Sequence, residues 1–329
     1  MSIDWSRFVE LVQAHQKFLL VSHIRPDCDA LGSELGMAGI LEALGKDVTI
    51  CNGHATPPNL AFIDPQNKIG VINVTVQPAD LADRDCIMIL DTSAWQQLGA
   101  MGDVIRAHKA QKMVLDHHVS QDDLGAENFK NTTAEAAGRL VVEAADALNV
   151  KLTQEIATPL YAAIATDTGW YRFGSASSST YRIAARLIDA GASPSKIYNA
   201  LYEQDTLGRV LLRGIILSRV KAELNGRLVY THVLKEDFTS TGALPSDTED
   251  VINMALAIAG TQFAVIFVEQ QTGGFKLSFR SRCAVDCSQM AEQYGGGGHK
   301  AAAGAFLDTS YEQAAQIVLP KVRQAMSSV

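Results

Sequence analysis

The sequence has little that would point to a secreted or membrane protein. Its five cysteines are an odd number and form no close Cys-x-x-Cys pair, so neither a disulfide framework nor a zinc knuckle is indicated. The apolar runs, of which Cys86–Leu90 is typical, are far shorter than the ~20 residues of a membrane-spanning helix. The N-terminal segment carries Asp4, Arg7 and Glu10 and lacks the uninterrupted apolar stretch of a signal peptide. We therefore expect a cytoplasmic protein without membrane contact.

Positive charge is also scarce, with 28 basic against 36 acidic residues and a net charge of -8. Binding along a long duplex depends on many contacts between basic side chains and phosphates. The composition therefore argues against a partner of long duplex nucleic acid, whereas a small anionic substrate held by metal ions is compatible with it. With 329 residues, 47% of them hydrophobic, the chain is long enough for about two domains with proper cores.

The first half of the sequence alternates strand-like and helix-like segments. Phe18–Ser22 and Cys86–Leu90 are short apolar runs typical of buried strands, and Ala30–Leu44 has apolar residues at helical spacing. Such alternation predicts an α/β fold with a parallel sheet covered on both faces. Ligands of such sheets lie beyond the carboxyl ends of the strands. Met113–Leu115 is a further predicted strand. The residues directly after the three strands are His23, Asp91 and Asp116.

The second half predicts a smaller α/β domain, reached through a helical stretch from Ser193 to Leu224. Its predicted strands are Arg227–Val233, Phe263–Glu269 and, after a glycine turn, Phe275–Arg280. Its predicted helices are Thr248–Ala259, Asp286–Tyr294 and Tyr311–Met326.

Histidines and aspartates are concentrated near the predicted strand ends. The segments concerned are His23-Ile24-Arg25-Pro26-Asp27-Cys28-Asp29, Asp91, Asp116-His117-His118 and Asp167. Imidazole and carboxylate together suit a borderline divalent ion such as Mn²⁺, with Mg²⁺, Fe or Co as alternatives. Two ions about 3.5–4 Å apart, bridged by one carboxylate, would use all these groups. Taken singly, a strand-end Asp is more often a helix cap; the combination at one sheet edge favours a metal centre.

These motifs carry a family resemblance. His23-x3-Asp27-x-Asp29, Asp91, Asp116-His117-His118 and Asp167 resemble, in order and spacing, the DHH phosphoesterase superfamily. The run Gly295–Gly304 (GGGGHKAAAG) is similar to the glycine signature of the DHHA1 domain. Among the subfamilies the chain most resembles the NrnA-like bifunctional oligoribonucleases (nanoRNases) and 3′-phosphoadenosine 5′-phosphate (pAp) phosphatases. The resemblance implies a DHH catalytic domain at 1–189, a helical linker at 190–212, a DHHA1 substrate-binding domain at 213–329 and a cleft between the two domains.

The resemblance also implies residue roles. The ligands would be His23, Asp27 and Asp91 for one ion, and Asp29, Asp91, His117 and Asp167 for the other. Asp91 would therefore bridge the ions. His118 would face the scissile phosphate as a donor to its oxygens or to the leaving group, and Asp116 would orient a ligand histidine through its ring N–H.

The glycine run has two interpretations on spacing alone. Consecutive glycines let backbone N–H groups approach a bulky anion, but they also suit a flexible linker. The resemblance favours substrate binding by Gly296, Gly297, Gly298 and His299, together with Arg280 and Ser281. Weaker candidates stay open: Phe173 either stacks on a base or joins the core, Asp250 or Asn253 adds polar contacts, and Arg25 is read as a solvated loop residue.

The implied function is that of a metal-dependent phosphoesterase, a hydrolase with two divalent ions, Mn²⁺ first and Mg²⁺ or Co²⁺ as alternatives. Its substrates would be short single-stranded oligoribonucleotides (nanoRNA), cleaved exonucleolytically to 5′-mononucleotides, and pAp, converted to AMP. Two alternatives remain: a soluble phosphodiesterase of cyclic or linear dinucleotides, and a nucleotide sensor without catalysis. A homodimer is expected by analogy alone.

Overall fold

The computed structural model describes residues 3–248 and 250–327. It divides into two compact units, Met1–Gln204 and Asp205–Val329, which we call the first and the second unit. The division falls inside the predicted linker at 190–212; the exact domain boundaries stay predictions. Across the described ranges, none of the helices has both the length and the apolar character needed to cross a membrane.

The first unit is built on a six-stranded parallel sheet, as the alternation of segments predicts. The strands are β1 (Lys17–Val21), β2 (Asp47–Asn52), β3 (Ile69–Val71), β4 (Cys86–Leu90), β5 (Gln111–Asp116) and β6 (Glu127–Lys130), in the spatial order β3-β2-β1-β4-β5-β6. The helices are α1 (Trp5–Ala14), α2 (Cys28–Ala43), α3 (Ala100–Ala107), α4 (Ala137–Ala147), α5 (Gln154–Asp167), α6 (Ser178–Asp189) and α7 (Pro194–Tyr202), with short 3-10 turns at Pro58–Ile63, Pro78–Leu81 and Trp95–Gln97.

Both faces of this sheet are covered. Along β1, Phe18 and Leu20 join the core formed with α1, α2, α4 and α5, whereas Leu19 and Val21 join the core on the opposite face with α3. Alternate residues of one strand therefore both meet apolar partners, which explains why the central strands are continuous apolar runs.

Helix α2 begins where Asp27 caps it, because the Asp27 side chain accepts from the backbone N–H groups of Asp29 and Ala30. It packs tightly on α5: a Cβ at Gly32 would lie 2.4 Å from the carbonyl oxygen of Pro159, and one at Gly36 would meet Leu160 at 2.5 Å. Gly39, later in α2, meets Ile156, which is earlier in α5 than Pro159 and Leu160. The two helices are therefore antiparallel. The start of α2 consequently lies beside the end of α5.

The second unit contains a mixed six-stranded sheet. Its strands are β7 (Lys221–Glu223), β8 (Leu228–Val233), β9 (Phe263–Glu269), β10 (Phe275–Ser281), β11 (Gly297–His299) and β12 (Ala302–Leu307), in the spatial order β11-β12-β10-β9-β8-β7. Its helices are α8 (Leu207–Ser218), α9 (Lys235–Thr241), α10 (Val251–Leu256), α11 (Cys287–Glu292) and α12 (Tyr311–Ser327), with a 3-10 turn at Pro245–Thr248. Only β8 and β9 run parallel; the other neighbouring strands are antiparallel.

The predicted α/β class is confirmed, but two details of the second half differ. The helical stretch from Ser193 to Leu224 breaks into α7 and α8, because Thr206 accepts from the N–H of Arg209 and starts a new helix; its last residues form strand β7. The helix predicted at Thr248–Ala259 is shorter, and Glu249 lies outside the described residues.

Candidate metal centre

Three neighbouring strands deliver the predicted ligands to one edge of the first sheet. His23 follows β1, Asp91 follows β4, and Asp116-His117-His118 begins at the last residue of β5. Because β1, β4 and β5 are adjacent and parallel, their carboxyl ends meet at the same edge. The sequence-predicted convergence of these residues is therefore present in the fold.

Asp91 lies at the middle of the cluster. Nε2 of His23 is 3.3 Å from its Oδ2, and Nε2 of His117 is 3.4 Å from its Oδ1. The carboxylate is only 2% exposed, and Oδ1 has no hydrogen-bond partner among the described residues. Asp91 also has a left-handed backbone, with φ 61°, which is uncommon for a residue other than glycine. A buried carboxylate oxygen without a donor is costly unless a cation offsets its charge.

The two histidines are oriented as metal ligands usually are. Nδ1 of His23 donates to the carbonyl of Ile24 at 3.0 Å, and Nδ1 of His117 donates to that of Ala134 at 3.2 Å. A proton held on Nδ1 leaves the Nε2 lone pair free, and in both rings Nε2 faces Asp91.

The remaining aspartates complete the cluster. Nε2 of His117 lies 3.7 Å from Asp29 and 3.8 Å from Asp167, and Nε2 of His23 lies 3.8 Å from Asp27. The antiparallel packing of α2 on α5 brings Asp29 and Asp167 together. The groups whose ligand atoms lie within 4.8 Å of one another are His23-Asp27-Asp91, Asp29-His117-Asp167 and Asp91-His117-His118.

The electrostatics of the cluster are those of crowded anions. Burial and the charge of Asp91 raise the pKa of Asp29 well above its ordinary value, and burial raises that of Asp167. Burial also opposes ionisation of Asp91, but the neighbouring imidazoles of His117 and His23 outweigh it and lower its pKa. Burial lowers the pKa of His23, but the neighbouring Asp91 raises it by more, and the net pKa is about 9. A cluster of several imidazoles and carboxylates fits divalent ions, whose charge would offset the repulsion among the aspartates.

Asp116 contacts a different histidine from the one expected. Its Oδ1 accepts from the N–H of His118 at 3.0 Å and from Nδ1 of the same ring at 2.9 Å. The ring N–H of His117, by contrast, goes to a backbone carbonyl, so Asp116 orients His118 rather than a predicted ligand. The half-exposed His118 ring is thus held at Nδ1, and its Nε2 has no hydrogen-bond partner among the described residues. Asp116 raises the pKa of His118.

Two partners of Asp116 are functional candidates that sequence reasoning missed. Oδ2 of Asp116 accepts from Ser93 Oγ at 2.7 Å and lies 3.0 Å from Lys130 Nζ, which also donates to Ser93 Oγ at 2.6 Å. Burial opposes ionisation of Asp116, but hydrogen bonds from His118, Ser93 and Lys130 hold its pKa well below the ordinary value. Ser93 stands two residues after Asp91 and could have been noticed; Lys130, at the end of β6, carries no local signal.

A second buried carboxyl group lies under the His23 strand. Oε2 of Glu34, in α2, accepts from Asn52 Nδ2 at 2.8 Å, and Asn52 Oδ1 accepts from the N–H of Ser22 at 2.9 Å. Glu34 is fully buried, its Oε1 has no partner among the described residues, and burial raises its pKa to about 8. Glu34 therefore fixes the Asn52 side chain, and Asn52 in turn binds the backbone at Ser22, directly after β1.

An open pocket of about 270 Å³ adjoins the cluster. It is lined by His23, Asp27, Asp91, Thr92, Ala94, Gln97, His118 and Ser120.

In the second unit, strand pairing places two predicted substrate-binding residues in one row. Arg280 of β10 and His299 of β11 both lie opposite Ala302 of β12. Opposed residues of antiparallel strands point to the same face, so a guanidinium and an imidazole flank a methyl group. The next row on that face is Ser278, Gly304 and Gly297, again small in the middle. The small residues Ala302 and Gly304 thus form a shallow surface between the side chains of Arg280 and His299, which we call the floor.

The glycines of the run differ in their contacts. A Cβ at Gly296 would lie 2.1 Å from the carbonyl oxygen of Gly304, and one at Gly298 would lie 2.6 Å from Ala303. A Cβ at Gly297 would meet no atom within 4 Å. Gly296 and Gly298 are therefore needed for the close approach of β11 to β12, whereas Gly297 leaves space above the floor.

The other candidates fall in separate places. Ser281 is buried, and its hydroxyl contacts the backbone of Cys283. Asp250 pairs with Arg209 at 3.0 Å, so it is engaged within its own unit, and Asn253 is exposed on α10. Arg25 is exposed, and Phe173 is 55% exposed and thus no core residue.

Comparison with known proteins agrees with this geometry. Residues 17–164 match the N-terminal domain of the DHH family, and residues 225–328 match the DHHA1 domain. The chain is 31% identical to the bifunctional oligoribonuclease and PAP phosphatase NrnA of Thermus thermophilus over 94% of this chain and 90% of that protein. It is 27% identical to the protein of the same name from Bacillus subtilis, over 95% and 96% respectively.

A solved structure is similar along the whole chain. An exopolyphosphatase-related protein from Bacteroides fragilis superimposes with a TM-score of 0.81 at 25% identity, covering 98% of this chain and 95% of that one. The parallel sheet, the cluster around Asp91 and the two domain matches all indicate the same family. This chain belongs to the DHH family of phosphoesterases, with a DHHA1 domain as its second part.

Proposed function

We propose that this chain hydrolyses short oligoribonucleotides to 5′-mononucleotides and pAp to AMP, with two divalent ions. The observation that carries the proposal is the buried Asp91 carboxylate between the Nε2 atoms of His23 and His117. The names of the NrnA relatives, which are similar over nearly their whole length, support the choice of substrates.

The residues of the cluster fit two ions that share Asp91. His23 and Asp27 would hold one ion with it, and the other would be held by the set Asp29, His117 and Asp167. When bound, the ions supply Lewis acidity, which activates water and offsets charge that develops on the phosphoryl oxygens. Mn²⁺ is our first choice because imidazoles and carboxylates are mixed; Mg²⁺ or Co²⁺ are the alternatives.

His118 acts on the phosphate from the open side of the cluster. Asp116 holds its Nδ1, and Lys130 and Ser93 hold Asp116, so the ring cannot turn freely. Its Nε2 can then donate to a phosphoryl oxygen or to the leaving oxygen. The hydrogen bond to Asp116 raises the pKa of His118 and so favours the protonated ring that this role requires.

The second unit binds a nucleotide by its phosphate or its base. Arg280 offers a planar fork and His299 a second donor, and the small residues between them admit a bulky group. Ser281 supports this floor from the core side of the sheet rather than from the surface.

The test is a side-by-side turnover assay with Mn²⁺. The substrates are a 5′-labelled RNA trinucleotide, pAp, the linear dinucleotide pApA, cyclic di-AMP and pyrophosphate. Hydrolysis of the trinucleotide and pAp, abolished by EDTA, is the expected result. A preference for the cyclic dinucleotide would replace the proposed substrates, and metal binding without any turnover would make the chain a sensor. A cytoplasmic location, a homodimer and the absence of duplex binding stay predictions.

A further inference from the structure

The loop after Asp167 has an unusual backbone. Gly169, Trp170 and Tyr171 are three consecutive residues in the left-handed region, with φ of 56°, 59° and 62°. Bulky residues rarely adopt this conformation, which persists only where the surrounding structure imposes it. The loop starts directly after Asp167, a candidate metal ligand.

Hydrogen bonds hold this loop in one shape. The buried Thr168 hydroxyl donates to the carbonyl of Ile164 at 2.7 Å and accepts from the N–H of Tyr171 at 3.1 Å. The carbonyl of Thr168 accepts from the N–H groups of both Arg172 and Phe173 at 3.0 Å. One residue thus anchors three positions of the turn.

The aromatic side chains of the loop divide into two kinds. Trp170 and Tyr171 pack against the core of the first unit; Trp170 meets Tyr198 edge-on at 5.0 Å, and Tyr171 stacks on Tyr181 at 5.3 Å. Phe173 takes no part in that core and is 55% exposed. Its burial therefore contributes little to folding.

The Phe173 ring is nevertheless fixed in place. A Cβ built on Gly169 would lie 2.4 to 2.7 Å from three ring carbons of Phe173, so the ring lies directly on the glycine. Gly169 comes two residues after Asp167. One side of the ring is supported by backbone, and the loop presents the rest of it to solvent close in sequence to the metal cluster.

A positive group is bound to the same glycine as this ring. Arg172 is exposed, and its Nε donates to the carbonyl of Gly169 at 2.7 Å, which ties the guanidinium to the same turn. A supported aromatic ring beside a cation is the combination that binds single-stranded nucleotides, by stacking on the base and by attraction to the phosphate.

We propose that Phe173 is a nucleobase-stacking surface of the first unit, and that a base of the substrate stacks on its exposed side with Arg172 beside it. This inference rests on the proposed function, because it takes the substrate to be a nucleotide. It makes Phe173 a residue that distinguishes nucleotides from phosphoesters without a base.

The experiment compares ligands with and without a base. The substrates are pAp and the abasic ribose 3′,5′-bisphosphate; the product pair, AMP and ribose 5-phosphate, is measured by calorimetric binding and needs no turnover. Phe173→Ala is expected to raise KM for pAp and Kd for AMP about tenfold, with kcat and both base-free ligands unchanged. Phe173→Trp should restore the wild-type values, and Phe173→Leu, which keeps apolar bulk without an aromatic face, should not.

The outcomes separate the inference from the function. Suppose that the wild type turns over pAp and that the Phe173→Ala variant keeps the wild-type preference for pAp over the abasic compound. This outcome would overturn the stacking role and leave the proposed function intact. A loss of equal size on both members of each pair, or a lower melting temperature, would make Phe173 a structural support of Gly169 and would also overturn it. Absence of any turnover by the wild type would count against the proposed function, while the AMP and ribose 5-phosphate pair would still decide the stacking.

Discussion

Nε2 of His117 lies 3.4 Å from Oδ1 of Asp91, and this oxygen accepts no hydrogen bond from the described residues. Burial of a carboxylate oxygen without a donor favours contact with a cation that offsets its charge. Nδ1 of His117 is occupied by the carbonyl of Ala134, so the only ring nitrogen that can bind an ion is the one facing Asp91. The same holds for His23 on the other oxygen.

Asp91→Asn should abolish both metal binding and hydrolysis. The amide has nearly the same shape but lacks the charge that both ion positions share. We expect the loss of all measurable turnover of pAp and of both bound ions, measured by calorimetric titration with Mn²⁺. Asp103→Asn is the control, because Asp103 is exposed and pairs with Arg106 one turn away on its own helix. Turnover retained in Asp91→Asn would refute the shared-ligand assignment.

His118→Asn should separate chemistry from metal binding. Asp116 occupies Nδ1, and Nε2 is free to act on the substrate. Loss of a positioned proton donor typically lowers the rate by about 10²- to 10⁴-fold, so kcat should fall by that factor while Mn²⁺ affinity stays the same. His108→Asn serves as control, since His108 precedes β5 and lies at the opposite edge of the sheet. A parallel loss of Mn²⁺ binding would make His118 a ligand instead.

Glu34 should make stability depend on pH. Burial raises its pKa from 4.5 to about 8, so between these values the folded chain holds a proton that the unfolded chain releases. The free energy of unfolding therefore falls as pH rises through this window. Glu34→Gln cannot lose that proton, and its stability relative to wild type should improve from pH 5 to pH 8, by on the order of a few kcal/mol.

Urea unfolding at several pH values measures this difference. The exposed Glu10→Gln variant is the control and should follow the wild-type pH profile. If Glu34→Gln also follows it, Glu34 is ionised in the folded protein, and a cation or water then serves its unpartnered oxygen.

Gly296→Ala and Gly297→Ala form a matched pair in the second unit. A Cβ at Gly296 collides with the backbone of Gly304, and such overpacking costs about 1–3 kcal/mol of unfolding free energy. At Gly297 the space is open, so stability should change by no more than about 0.5 kcal/mol. KM for pAp should rise in Gly297→Ala if a substrate occupies that space. An unchanged KM would remove Gly297 from the binding surface.

Much of the candidate site could be predicted from strand ends alone. A parallel sheet covered on both faces has apolar central strands, and polar residues directly after them can only lie at the carboxyl edge. His23, Asp91 and Asp116 were predictable in this way without any contact being known. The same concentration of histidines and aspartates indicated His117, His118 and Asp167. The family resemblance added the roles of these residues and favoured substrate binding by the glycine run of the second unit.

The sequence by itself thus determined the fold class, the sheet edge and the residue types gathered there, because these depend on local periodicity and on the residue types directly after each strand. Only the tertiary structure decided which partner each group takes. Asp116 binds His118 and the distant Lys130, and α2 packs on α5 so that Asp29 meets Asp167. The exposure of Phe173 was decided in the same way, by Trp170 and Tyr171 occupying the core. Such contacts join residues far apart in the chain, and no local pattern encodes them.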